Sequence, residues 1–264
     1  MELIDTHCHL DRFQKKGELD ATLERASSAG VCQVVTIGTS WEDWTLYREM
    51  HTARPREVFY TVGLHPADVG EDWREQVGQL SPFFIPPHEP VGLGEIGLDH
   101  FHLPKDPIEA AKVIQLQEAA FEEQLHLGLQ LDCPLVIHSR NAVRECIRMI
   151  DASGVEWERV VFHCWSDGPE MLEAVRKRGG QVSFTGIVTY GNAEEVRESA
   201  RAVGVSELLL ETDAPFLAPV PHRGKRNEPA FVKHTAEGIA ETLGTSLEAI
   251  ADASTSKARD FFKF

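Results

Sequence analysis

The stretch LIDTHCH, residues 3–9, is an apolar run that ends in two histidines separated by one residue. In a β-strand successive side chains point to opposite faces, so Asp5, His7 and His9 should share one face and Cys8 the other. Two imidazoles on one face can hold a metal ion, but they are also compatible with an ordinary polar strand end. The remainder of the chain has to decide between these interpretations.

Seven further short apolar runs follow at intervals of roughly 30 residues, the spacing of βα units. Near-continuous apolar strands of this type are typical of a parallel sheet that is buried on both faces. The runs are VCQVVTIG (31–38), VFYTVGLHP (58–66), PVGLGEIGLD (90–99), PLVIHS (134–139), RVVFHCW (159–165), QVSFTG (181–186) and ELLLETDAP (207–215).

Amphipathic segments with helix-ending glycines lie between these runs. The segment 17–30 carries Leu19 and Leu23 on one face and ends at a glycine, and the segment 107–128 begins with Pro107 and ends at a glycine. Eight alternations of strand and helix predict an α/β fold of the (β/α)8 TIM-barrel type, built as a single domain over all 264 residues. The tail 246–264 predicts one or two extra C-terminal helices packed outside the barrel.

The composition limits the partners and the compartment. The net charge of −16 argues against a protein that coats duplex DNA, which needs a basic surface, although bound metals could still attract the end of one strand. The five cysteines are scattered without a Cys-x-x-Cys pair, which favours reduced thiols. We find no signal-peptide pattern and no membrane-spanning run, so we expect a cytoplasmic protein without a membrane partner.

Metal-binding residue types accumulate at the ends of the predicted strands, which form the functional face of a TIM barrel. A single histidine there could be an ordinary hydrogen-bonded residue, but joint placement on several strands favours a shared site. Four histidines and two carboxylates exceed the needs of one tetrahedral ion, and one carboxylate can bridge two cations. We therefore predict two divalent metal ions, with Mg, Mn and Zn all compatible. The residues are His7 and His9, Glu95, His138, His163 and Asp213, with His65 on a further strand end.

These same residues carry a resemblance to the TatD family of metal-dependent hydrolases, within the amidohydrolase-like barrels. The matching stretches are DTHCHLD, GLHP, GEIGLD, PLVIHSR, VFHCWSDG, LLLETDAPFLAP and GKRNEP, in the order of the family and over nearly the whole chain. The resemblance implies a distorted TIM barrel, two divalent metals and phosphodiester hydrolysis, often as a 3′–5′ exonuclease on the ends of single-stranded DNA or RNA. It also implies a monomer.

The resemblance further implies the distribution of the ligands and shows two departures from the family pattern. One metal would be held by His7, His9, Glu95 and Asp213, and the other by Glu95, His138 and His163, with Glu95 as the bridge. The usual HCFSG is HCWSD here, with Trp165 and Asp167, and the usual aromatic pair after GLD is His100–Phe101. We expect both departures to affect which substrate end fits.

The predicted reaction is attack of a water on phosphorus, with Asp213 accepting its proton and Glu95 and His65 completing the catalytic set. His65, Arg140 and Arg226 are expected to hold the substrate, Arg226 from the basic loop PHRGKRNEP (221–229). The ordinary alternatives are a turn histidine, a surface arginine and a solvated charge run.

Other residues are expected to support the site. Asp5 and Glu211 should stand behind the ligands, whereas Cys8 and Cys164 should be packing residues. The aromatic residues Trp165, Phe101 and Phe216 could stack on bases, or they could cap the core. A phosphate contact by Arg12 is left open.

Two alternatives to the nuclease hypothesis deserve a test. The same metals could hydrolyse an ester or amide, as in an aminoacyl-tRNA deacylase, because the fold does not decide the bond. A non-catalytic metal-binding module is the other alternative, against which the complete ligand set argues.

Overall fold

A computed structural model describes residues 1–264, which form a single eight-stranded parallel sheet in the order β1 to β8. All eight apolar runs become strands, and the prediction of a (β/α)8 TIM barrel is confirmed. The strands are β1 Leu3–Cys8, β2 Val31–Thr36, β3 Val58–Val62, β4 Gly92–Asp99, β5 Leu135–Arg140, β6 Val160–Phe162, β7 Gln181–Phe184 and β8 Leu209–Leu210.

The barrel closes between β1 and the segment after β8. Cys8 forms an isolated parallel bridge with Ala214, and the backbone N–H of His9 donates to the carbonyl of Ala214 over 2.8 Å. The N–H of Asp213 donates to the carbonyl of His7 over 2.9 Å. The closing seam therefore brings three of the predicted metal ligands, His7, His9 and Asp213, to the same edge.

Ten helices surround or close the barrel. None of them is both long and apolar enough to cross a membrane. They are α1 Asp11–Gln14, α2 Leu19–Ser28, α3 Trp41–Ala53, α4 Trp73–Gly78, α5 Pro107–Leu131, α6 Val143–Ser153, α7 Pro169–Arg176, α8 Glu194–Val203, α9 Val232–Leu243 and α10 Leu247–Phe262.

The C-terminal helix α10 packs against the interior of the barrel as well as its outside. Phe261 and Phe262 share a buried cluster with Ile4 and Leu209, which lie near the beginnings of β1 and β8. Since these strand beginnings face away from the predicted site, α10 covers the opposite opening of the barrel. The sequence predicted a helix packed outside the barrel, but α10 also closes one end of the barrel interior.

Helix α5 is longer than the sequence indicated, because it continues through Gly128 to Leu131. A Cβ atom at Gly128 would lie 2.6 Å from a methyl carbon of Leu135, so this glycine permits close packing of α5 on β5. The helix ends instead at Asp132, which adopts the left-handed conformation with φ 54°.

Strands β4 and β5 approach each other unusually closely. Gly97 pairs with His138 and has φ +135°, and a Cβ atom there would lie 2.1 Å from the carbonyl oxygen of His138. Only glycine fits such a contact. This close pairing joins β4, which carries Glu95 two residues earlier, to β5, which carries His138.

Candidate metal centre

The six predicted metal ligands come from five strands and meet at the carboxyl end of the barrel. Their positions differ in one respect from the prediction that each residue ends its strand. Glu95 lies inside β4, which continues to Asp99, and His138 lies inside β5, which continues to Arg140. The strands extend because Asp99 and Arg140 pair in the β4–β5 ladder, a tertiary contact that the local pattern did not reveal.

Glu95 lies at the centre of the cluster and is 3% exposed. Its Oε1 atom lies 2.7 Å from His138 Nδ1, 2.8 Å from His163 Nε2 and 3.3 Å from His65 Nε2. Its Oε2 atom faces the other way and lies 3.3 Å from His7 Nε2. The two oxygens of one carboxylate therefore face two separate groups of imidazoles.

The second group, which begins with His7 beside Glu95 Oε2, also includes His9, which follows β1, and Asp213, which follows β8. His9 Nε2 lies 3.3 Å and His7 Nε2 3.7 Å from Asp213 Oδ1. The ring of His7 stacks on that of His163 with centroids 4.0 Å apart, which joins the two groups. Three sets of donor atoms lie close enough to share an ion: His7, His9 and Glu95; His65, Glu95 and His138; and His7, His163 and Glu211.

The imidazole of His7 provides a direct test of whether these residues fit a metal ion. This side chain is fully buried, yet neither of its ring nitrogens has a hydrogen-bond partner. A buried polar atom without a partner is costly, and a cation at Nε2 would satisfy it. Together with the surrounding nitrogen and oxygen donors, this unpaired ring nitrogen fits a divalent metal ion.

The electrostatics of the cluster favour ionised carboxylates and a neutral His7, whereas the same carboxylates raise the pKa of His9, His138 and His163, so that a bound metal would displace protons from these three rings. Burial raises the pKa of Glu95, but the charges of the surrounding histidines and the hydrogen bond with His138 together outweigh it and hold the pKa well below its ordinary value. Burial also raises the pKa of Asp213, but the hydrogen bond with His9 and the charges of His7, His9 and His163 together outweigh it, and the net pKa is lowered. Burial lowers the pKa of the His7 imidazole. Ionised carboxylates and neutral imidazole are the ligand forms.

Asp99 contacts the cluster, and the sequence analysis did not single it out. It is buried, and its Oδ2 atom lies 3.3 Å from His138 Nε2 and 2.7 Å from His102 Nδ1. The nitrogen of His138 that faces away from Glu95 is thus oriented by a carboxylate, as is usual for metal-ligating histidines. The sequence contained a signal for this contact. Asp99 follows Glu95 by an even number of positions in one strand, which places the two side chains on the same face.

Glu211 and Asp5 both lie behind the cluster, but only one of them contacts a predicted ligand ring. Glu211 Oε1 accepts the N–H of Cys164 at 2.7 Å and lies 3.5 Å from His163 Nδ1. Asp5 accepts the N–H of Thr212 at 2.9 Å and its hydroxyl at 2.6 Å, and it contacts no imidazole. Asp5 therefore fixes the backbone that carries Asp213.

The two cysteines lie where packing residues are expected. Cys8 is fully buried in the core outside the sheet, with its Sγ atom 3.6 Å from the carbonyl of Val35. The Sγ atom of Cys164 lies 3.7 Å from the hydroxyl of Thr185. Neither thiol is within the sets of donor atoms that could share an ion.

His65 has a defined tautomer that points a proton into the cluster. Its Nδ1 atom accepts the N–H of Ala67 at 3.0 Å, which leaves the hydrogen on Nε2. That Nε2 atom faces Glu95 Oε1 and lies 3.3 Å from His138 Nδ1. His65 is therefore placed to donate a hydrogen bond toward the cluster.

The two arginines that were expected to hold the substrate differ in whether their guanidinium groups are already paired. The guanidinium of Arg140 lies 4.0 Å from the centroid of Phe101 and forms no ion pair. Arg226 is instead paired with Glu18 and lies 4.2 Å from the ring centroid of Phe13. The structure therefore brings Arg140 to the rim of the site, while Arg226 is bound within the protein.

The three aromatic residues considered for base stacking differ in their exposure. Phe101 is 55% and Phe216 51% exposed, and the Phe216 ring lies 6.0 Å from that of His9. The suggestion that Trp165 stacks on bases is wrong, because this side chain is 2% exposed and its indole N–H donates to Ser199. The loop after β6 turns it into the core, against Phe162.

Comparisons with known proteins agree with this architecture. A family model described as TatD related DNase matches residues 4–263. The uncharacterized metal-dependent hydrolase YabD of Bacillus subtilis is 33% identical over 263 residues, which cover 99% of each chain. The 3′-5′ ssDNA/RNA exonuclease TatD of Erwinia billingiae is 29% identical over 266 residues, again 99% of each chain.

A solved structure extends the agreement to the whole fold. The crystal structure of YjjV, a TatD homologue from Escherichia coli, superimposes with a TM-score of 0.90 at 27% identity. The match covers 99% of this chain and 98% of the other. The chain therefore belongs to the TatD-related DNase family of metal-dependent hydrolases.

Proposed function

We propose that this protein is a two-metal phosphodiesterase that removes nucleotides from the 3′ ends of single-stranded DNA or RNA. The observation that carries the proposal is the division of the Glu95 carboxylate, with one oxygen toward His7 and the other toward His138 and His163. A carboxylate in this position can bridge two cations. The 3′-5′ exonuclease named for the relative from Erwinia billingiae supports the choice of substrate.

The proposed ligands divide between two sites. When bound, two divalent cations supply Lewis-acid charge that acidifies a water and offsets the charge developing on phosphate oxygens. Mg, Mn and Zn are all compatible with the mixed nitrogen and oxygen donors. The first site consists of His7, His9, Glu95 and Asp213, and the second of Glu95, His138 and His163.

Asp213 is the carboxylate best placed to accept a proton from the attacking water. Its side chain is 14% exposed, compared with 4% for that of Glu95, so it faces the open end of the site. Only Oδ1 of Asp213 faces the histidines of the cluster. The other oxygen is therefore available to a water approaching from the mouth.

His65 and Arg140 would act on the substrate phosphate. The N–H at His65 Nε2 is fixed by the contact between Nδ1 and Ala67, so it can donate to a phosphate oxygen without reorientation. Arg140 has no carboxylate partner and stands on the strand that carries His138. Its guanidinium can form charge-assisted hydrogen bonds with a phosphate.

We place the protein in the cytoplasm and its activity at strand ends. All five cysteines are unpaired, which suits a reducing compartment. A net charge of −16 disfavours binding of a long duplex, which requires a basic surface. A single-stranded end needs only the local charge of the metals.

One experiment tests the proposal. Metal content is measured by elemental analysis, and end-labelled single-stranded DNA, RNA and an aminoacyl-tRNA are assayed with wild type and with Glu95→Gln. We expect about two metals per chain in the wild type and stepwise release of nucleotides from the 3′ end, both lost in the variant. Glu122→Gln, at an exposed position of α5, is the control and should behave as wild type.

The outcomes separate the hypotheses. Cleavage of the aminoacyl ester without release of nucleotides would identify an ester hydrolase. An unchanged metal content after Glu95→Gln would contradict the bridging assignment. Absence of turnover with Mg, Mn and Zn would favour a binding module.

A further inference from the structure

The exposed aromatic side chains of this protein are all located on one face. Only three aromatic residues are largely exposed, namely Trp41, Phe101 and Phe216. Each of them follows the carboxyl end of a strand, β2, β4 and β8 respectively. Since exposed apolar rings are unfavourable in water, their restriction to the face that carries the metal centre indicates a binding function.

The backbone at Phe101 is held by hydrogen bonds to a buried carboxylate. Its backbone N–H donates to Asp99 Oδ1 at 2.9 Å, and the next N–H, that of His102, donates to the same oxygen at 3.0 Å. The other oxygen of Asp99 lies 3.3 Å from His138 Nε2. One carboxylate thus connects the loop that carries Phe101 to a predicted metal ligand.

The ring of Phe101 is supported from one side and open on another. The guanidinium of Arg140 lies 4.0 Å from the ring centroid, and the ring of His102 meets it edge-on with centroids 4.9 Å apart. In spite of these contacts Phe101 is 55% exposed. A flat apolar surface that is held rigidly and left open is what base stacking requires.

We propose that Phe101, held by Arg140 and Asp99, is the stacking platform for an unpaired nucleobase next to the scissile phosphodiester. The inference rests on the proposed nuclease function and adds the way in which the substrate is selected. A base inside a duplex is already stacked on both sides, so the platform favours frayed or single-stranded ends. Stacking also gives this acidic protein an affinity that does not depend on a basic surface.

The test is a double-mutant cycle in which the Phe101 ring, one base of the substrate, or both are removed. Wild type, Phe101→Ala and Phe101→Tyr are assayed on single-stranded oligonucleotides that carry one abasic residue at the last or the penultimate 3′ position, or none. We expect Phe101→Ala to raise KM about 5- to 100-fold on the intact oligonucleotide, with little change in kcat. Phe101→Tyr should retain the wild-type KM. For one of the two abasic substrates, the difference between wild type and Phe101→Ala should disappear.

The control is Ile85→Ala, which removes another exposed apolar side chain, on the connection between β3 and β4. It should leave KM unchanged. An equal loss for Phe101→Ala on all three oligonucleotides, or no loss at all, would overturn the platform. Melting temperatures of the variants should equal that of the wild type, since the ring is largely exposed.

A failure of the proposed function gives a different result. If the wild type hydrolyses none of the oligonucleotides, the nuclease proposal is overturned. The platform is then decided by equilibrium binding of the same oligonucleotides in the presence of Mn²⁺. Binding that weakens with Phe101→Ala only when the base is present would support it, and binding that is indifferent to the base would refute it.

Discussion

His138 shows how much of a metal centre depends on residues that do not face the metal. Its Nδ1 atom faces Glu95, and its Nε2 atom is held by Asp99, which also binds the side chain of His102. The ligand itself could be predicted from its place on a strand. Its partner could not, because the contact between Asp99 and His138 exists only once β4 and β5 are paired.

We predict that Asp99→Asn weakens metal binding without removing a proposed ligand. An amide lacks the charge that orients His138 and raises its basicity, so metal affinity should fall roughly 10- to 100-fold. The measurement is activity and bound metal as a function of free metal concentration, with Asp252→Asn at an exposed position as the control. Activity that saturates at the wild-type metal concentration would show that Asp99 has no orienting role.

The buried carboxyl of Asp43 should make the free energy of unfolding depend on pH. Burial raises its pKa to about 7, although it accepts hydrogen bonds from the N–H and hydroxyl of Thr39. The unfolded chain loses this proton near pH 4 and the folded chain near pH 7, so this contribution to stability is complete below pH 4 and is lost as the pH rises to 7.

Asp43→Asn should remove that dependence. Relative to the wild type, the free energy of unfolding of the variant should increase between pH 4 and pH 8, by at most about 4 kcal/mol. Denaturant titrations at several pH values measure this difference. A difference that does not change with pH would contradict the assignment.

At the scale of elements, the position of each strand was predictable and its length was not. Every apolar run of the sequence forms a strand, because hydrophobic patterning is local information. The extension of β5 to Arg140 and of α5 to Leu131 depends on pairing and packing partners elsewhere in the chain. Glycines inside these elements indicate where such close contacts occur.

The close approach of β4 and β5 predicts that Gly97→Ala is severely destabilising. A Cβ atom would meet the backbone carbonyl of His138 at 2.1 Å, and φ +135° is unfavourable for any other residue. Relief requires separation of the two strands that carry Glu95 and His138. We expect a loss of about 3 kcal/mol or more in the free energy of unfolding.

The matched control is Gly78→Ala at the end of α4, where a Cβ atom would meet nothing within 4 Å. That variant should change stability by less than about 1 kcal/mol. Chemical unfolding of both variants provides the comparison. Equal stabilities would mean that the strands can separate freely, and the rigid position of Glu95 beside His138 would then need another explanation.

At the scale of the whole molecule, the barrel has one closed and one open end. Helix α10 covers the beginnings of the strands with Phe261 and Phe262, and the ligands lie at the other end. The sequence predicted which residue types gather at the open end. It could not predict that Arg226 pairs with Glu18 or that Trp165 enters the core, since both depend on distances between segments remote in the chain.

The excess of acidic over basic residues in the chain leads to a last prediction, on the salt dependence of substrate binding. Each phosphate neutralised on a single strand contributes about −0.7 to the slope of log affinity against log salt. With 42 acidic against 26 basic residues, we expect contacts to only one or two phosphates next to the metals. Raising monovalent salt from about 50 to about 200 mM should then increase KM by less than about tenfold.

The prediction distinguishes recognition of a strand end from recognition of a strand along its length. Screening by the added salt also weakens repulsion between the distal strand and the protein surface, which further flattens the dependence. For the same reason, lengthening the oligonucleotide beyond a few nucleotides should not lower KM. An increase in KM of a hundredfold or more over this range, or a KM that falls steadily with length, would require an extended basic track on a surface where most cations, such as Arg226 and Arg25, are already paired with carboxylates.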